Sequence, residues 1–99
     1  MWKKIILKEE AENHKRAASL QDAFETAFIN SGAPSNAAMY EARENNGKTR
    51  ILFFSPAAIR LIRLNLEDYG PMDCPLPKPE DVTLLVGHDG ARDPSSADE

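Results

Sequence analysis

The stretch that most constrains this chain is Asn45-Asn46-Gly47, followed by Ser55-Pro56. Asn-Gly is the dipeptide favoured in a two-residue hairpin loop, because a type I′ turn needs positive φ at both central residues. Before it, Ala38, Tyr40 and Ala42 alternate with Met39, Glu41 and Arg43. After it, Thr49-Arg50-Ile51-Leu52-Phe53-Phe54 is β-branched and aromatic, as a pleated surface favours. The two runs predict a hairpin. Ser55 can cap a helix through its hydroxyl, and Pro56 suits the first helical position, where a missing N–H is no loss. Ile59, Ile62 and Leu66 then recur at helical spacing, with Leu61 beside them and Arg60 and Arg63 pointing away.

The flanking segments supply the other elements. Leu20, Ala23, Phe24, Ala27 and Phe28 form one stripe of a helix over 17–31, with Ser19 and Asp22 resembling a capping box and Gly32 at its end. Ile5-Ile6-Leu7 reads as a strand over 2–7, followed by a partly helical polar connection. The alternative is a long N-terminal helix. Four prolines within residues 71–79 predict no regular structure there, although Tyr69, Met72 and Leu76 should hold that loop against the body. Val82-Thr83-Leu84-Leu85-Val86 reads as the last strand, ended by Gly87. Residues 89–99 lack apolar periodicity and are expected to fray.

The order strand, helix, strand, strand, helix, strand predicts a two-layer α+β sandwich of ferredoxin-like βαββαβ type, with an antiparallel sheet. The alternative is αββαβ. A single domain over 1–88 and a disordered acidic tail over 89–99 follow. In this arrangement 37–44 is an edge strand, consistent with Glu41, Arg43 and Glu44. Strand 49–54 is apolar on both sides, with Ile51 and Phe53 opposing Leu52 and Phe54. Met39 likewise opposes Tyr40, and Leu85 opposes Val82, Leu84 and Val86. Helices on one face leave the other in need of cover. Met39, Leu52, Phe54 and Leu85 are the set expected to lie beneath the Pro-rich loop or a second copy of the chain, so a homodimer is predicted.

Charge and motifs narrow the function classes. The net charge is −4, with +3 over residues 40–66 and −7 over 67–99. That balance argues against nucleic acid, and the basic-Gly-aromatic pattern of an RNA-binding sheet is missing. No apolar run is long enough for a membrane span or a secretory signal. Cys74 is the lone cysteine, so no internal disulfide forms, and a reducing, cytoplasmic setting is expected. In Asp-Cys-Pro, beside negative charge, it reads as an inert thiol. His14 and His88 have no metal-ligand spacing, and His88-Asp89 is the one conceivable general base. No metal or cofactor is expected. The best small-ligand position is the helix start at Ser55, with Arg50 or Lys48 assisting an anion. The leading expectation is a non-catalytic interaction or regulatory module acting as a homodimer, with another protein as the second candidate partner. The alternative is a ligand-binding domain or small enzyme with its site between Ser55 and the 67–79 loop.

Overall fold

The computed structural model describes residues 1–8, 11–32, 35–87 and 93–97. Strand β1 (Trp2–Lys8) is followed by α1 (Ala11–Ser31), β2 (Met39–Glu44), β3 (Thr49–Phe54), α2 (Pro56–Leu66), β4 (Met72–Cys74) and β5 (Thr83–Val86). Short 3-10 turns occupy Glu67–Tyr69, Pro79–Asp81 and Pro94–Ala97. All strand pairs are antiparallel, in the order β4-β1-β3-β2-β5. The protein is therefore α+β, with two helices on one face of a five-stranded sheet. The N-terminal strand excludes the αββαβ alternative. Helix α1 begins upstream of the expected start at 17, because the charged residues preceding it are good helix formers.

The β2–β3 connection differs from the two-residue loop expected. Glu44 pairs with Thr49, leaving four residues between the strands. Asn45 and Asn46 take φ values of 53° and 59°, and the Gly47 N–H donates to the Glu44 carbonyl at 3.1 Å. The primed turn is thus centred one residue earlier, on Asn45-Asn46, and Gly47 follows it at φ 86°.

Two placements correct the sequence reading. The Pro-rich segment was expected to be irregular, yet Met72–Cys74 pairs with β1 through Trp2↔Cys74, Lys3↔Asp73 and Lys4↔Met72. Pro71 and Pro75 flank this strand without interrupting it, so its N–H groups remain available on a short edge. Strand 37–44 was expected at an edge of the sheet, and the last strand does not leave it there. It pairs with β2, so β2 is interior. Its charges do not mark an edge. Glu41 is half-buried and meets Arg43 at 2.7 Å and Arg50 at 3.3 Å.

Apart from Val86, the two sheet faces have the predicted composition but the opposite cover. Ile5, Leu7, Met39, Leu52 and Phe54 pack against Leu20 and Phe24 of α1 and Ile62 and Leu66 of α2. Met39, Leu52 and Phe54, assigned above to the helix-free face, are fully buried beneath the helices. A fully covered large side chain contributes about 1.5–3 kcal/mol, so the stronger apolar set takes the thicker layer. Leu85 also packs on the helix side, and so does Val86. A bulge opposite Met39 and Tyr40 breaks the alternation of β5, which is why Val86 does not share a face with Leu84.

The helix-free face has its own smaller cluster of Trp2, Ala38, Tyr40 and Cys74, flanked by Phe53, Val82 and Leu84. Part of the tail expected to fray is ordered by burial. Pro94 is fully buried, and the Asp93 carboxylate accepts from the Ser95 N–H at 2.9 Å and its hydroxyl at 2.8 Å. Residues 89–92 and 98–99 of the expected tail lie outside the described residues.

Candidate functional site: a groove on the helix-free face

Because β4 and β5 occupy opposite edges, residues 75–82 must cross the sheet between them. Four strand spacings amount to roughly 19 Å. The nine Cα steps from Cys74 to Thr83 can extend to roughly 30 Å, leaving slack for one turn. That slack is used at Pro79–Asp81. The crossing lies on the helix-free face, where Val82 packs beside the Trp2–Tyr40 cluster. Pro75, Pro77 and Pro79 fix φ along this strap and limit its collapse onto the sheet.

Between strap and sheet lies a groove of about 560 Å³. Lys4, Ala42, Ile51 and Phe53 come from the strands, Pro75, Leu76, Pro77, Lys78 and Val82 from the strap, and Arg43, Glu44 and Asp81 are the remaining charged groups. Period-two alternation explains the strand contribution. Lys4 pairs with Phe53, and Ile51 with Ala42 and Ile6, in rows that point away from the helices.

Cys74 also lines this groove. Burial pushes its thiol pKa up, and the nearby Asp73 adds to this, while Lys4 and Lys3 oppose it. The net direction is upward, so at neutral pH Cys74 carries its proton and is a poor nucleophile. Tyr40, beside Trp2 with ring centroids 5.7 Å apart, has its phenol pushed up to about 12 by burial and by the charge of Asp93. The Trp2 indole N–H is buried, with no hydrogen-bond partner among the described residues.

The ligand position expected at Ser55 does not come together. Ser55 is fully buried, and its hydroxyl oxygen accepts from the Ala38 N–H at 2.9 Å and the Ala58 N–H at 3.3 Å. Its carbonyl accepts from Ile59 and its own N–H donates to Ala38. Both sides of the cap are occupied by protein. Arg50 stands five residues back along β3, roughly 16 Å away at strand rise, and is engaged with Glu41. Lys48 lies in the hairpin turn and is exposed. A smaller depression of about 190 Å³ does lie between α2 and Pro71, lined by Lys3, Ile59, Arg63, Leu66 and Glu67, but Ser55 takes no part in it. His14 falls on α1, and His88 lies outside the described residues.

Sequence reasoning found the apolar residues of the groove but not the groove. Ile51 and Phe53 were identified as one face, and Tyr69, Met72 and Leu76 as groups holding the Pro-rich loop down. The missing fact was that 72–74 pairs with β1, which sends 75–82 across the open face. Nothing in the sequence sets Lys4 apart from Lys3 beside it.

Among the described residues no cluster of three or more His, Cys, Asp or Glu could hold a metal ion. No helix among them is long and apolar enough to cross a membrane. Compared with known proteins, the chain matches no protein-family model, no curated protein and no solved structure.

Proposed function

We propose that the chain is a non-catalytic binding module of ferredoxin-like type, extended by one edge strand, which works through the groove beneath the 75–82 strap. The order β4-β1-β3-β2, with helices following β1 and β3, supports the ferredoxin-like part, and β5 is then the addition beside β2. The observation that carries the functional reading is the groove itself, about 560 Å³ between sheet and strap, where Ile51, Phe53, Leu76 and Val82 are interleaved with charged side chains. Sites for small ligands commonly enclose roughly 300–1,000 Å³, with apolar walls and a few placed polar groups. A protonated Cys74 suits holding a ligand more than transforming one. The expected reducing, cytoplasmic setting belongs to the same reading and is supported by the buried, unpaired Cys74.

The test is a fluorescence titration with the neutral apolar probe N-phenyl-1-naphthylamine. The reading expects saturable binding to the native protein, weakened at least about tenfold by Leu76→Asp on the strap, because a charge would replace apolar contact surface. Absence of binding, or binding indifferent to L76D, removes the groove from consideration.

A second reading, the homodimer, is favoured by a specific observation. Ile6, Met72 and Leu76 remain 43%, 43% and 39% exposed on or beside this same face. A second copy laid face to face would cover them. Sedimentation equilibrium decides it. The dimer reading expects twice the chain mass at ~100 μM, well above the ~1 μM of a moderate affinity, and a monomer throughout that range ends it.

A further inference from the structure

We propose that the groove takes a small amphipathic anion, an apolar body carrying one carboxylate or sulfonate head, and that Lys4 anchors the head. The proposal rests on the groove reading above and specifies its ligand.

Lys4 is placed unlike the other strand cations. It lies on β1, with β3 on one side and β4 on the other, and pairs with Phe53 and Met72 across them. Its side chain lines the groove and is half-buried. Lys3, one residue back, is ion-paired with Asp73. Arg43 and Arg50 share Glu41. Among the described residues the Lys4 side chain has neither an ion pair nor a hydrogen bond. Its ammonium can donate up to three hydrogen bonds, and an anionic head in the groove would meet it with a charge-assisted one.

The rest of the lining defines the body and the charge of that ligand. Ile51, Phe53, Leu76 and Val82 offer apolar contact to a ring or short chain. Glu44 and Asp81 also line the groove. Set against Lys4, Arg43 and Lys78 in the same lining, they leave one net positive charge, which suits a single anionic head over several.

The experiment compares two probes that share their rings and differ by one charge. They are 8-anilinonaphthalene-1-sulfonate and N-phenyl-1-naphthylamine, titrated into the native protein, Lys4→Met and Lys3→Met. The native protein should bind the sulfonate about tenfold more tightly than the neutral probe, within the range for a hydrogen bond to a charged group. K4M should lose that advantage while binding the neutral probe as before, and K3M should leave both unchanged. Circular dichroism verifies that each variant is folded. If both probes bind the native protein equally, or K4M keeps the preference, the anion proposal is overturned and the groove reading stands. If neither probe binds the native protein, both fall. Should K4M fail to fold, Lys4→Gln answers the same question with a neutral polar chain of similar reach.

Discussion

Replacing Ser55 by alanine should be among the most destabilising single-atom deletions available in this protein. The Ser55 hydroxyl oxygen joins three elements, because it follows β3, caps α2 through Ala58, and accepts from Ala38 at the entrance to β2. The site is fully buried, so water cannot replace the lost acceptor. Loss of the cap alone costs about 0.5–2 kcal/mol. The Ala38 N–H left unpaired in a dry site adds about 1–3 kcal/mol. The expected total for S55A is about 2–4 kcal/mol. For a domain of this size each kcal/mol lowers Tm by roughly 4–8 °C, so the variant should melt at least ~8 °C lower. Urea unfolding followed by far-ultraviolet circular dichroism and by the single Trp2 would measure the change, with an unchanged m-value showing that the endpoints are the same. Ser19→Ala, at an exposed position on α1, is the control and should change stability by less than about 0.5 kcal/mol. A loss below about 1 kcal/mol for S55A would refute the bridging role and reopen the helix start as a position for a ligand.

Two further outcomes follow from the titrating groups. Tyr40 ionises near 12 when folded and near 10 when unfolded. The unfolded chain therefore releases that proton first, and the contribution is intact below pH 10 and is lost as pH rises toward 12. Two units correspond to about 2–3 kcal/mol. Tyr40→Phe should flatten this part of the stability profile in guanidinium titrations, and an equally steep profile in the variant would count against it. Cys74, protonated at neutral pH and buried, should react with a disulfide reagent at least about tenfold more slowly than a free thiol, and at the free rate once unfolded in urea. A native rate equal to that of the unfolded chain would show that β4 and the strap open freely.

Much of the fold was written in local signals. The Asn-rich turn, the Ser55-Pro56 boundary and the Leu20-Phe24-Phe28 stripe each describe one element and do not depend on distant partners. The two-faced character of β3 was equally plain. Which face the helices cover was not, because Leu52-Phe54 and Ile51-Phe53 are both apolar and parity alone does not choose between them. The β5 bulge hid a second fact, since strict alternation grouped Val86 with Leu84. The three-residue β4 was masked by its flanking prolines, although Met72-Asp73-Cys74 itself contains none. Misplacing that strand concealed the strap, and with it the site. The Ser55 position was read for its free N–H groups, whereas tertiary packing had already given them partners.

The proposed binding face is the helix-free one, beneath residues 75–82. The most direct measurement is a heteronuclear amide spectrum recorded through a titration with 8-anilinonaphthalene-1-sulfonate. Shifts concentrated at Lys4, Ala42, Ile51, Phe53 and Cys74 through Val82, with Leu20, Phe24 and Ile62 unmoved, are the predicted result. Shifts centred on the helices or on Ser55, or spread evenly over the chain, would contradict it.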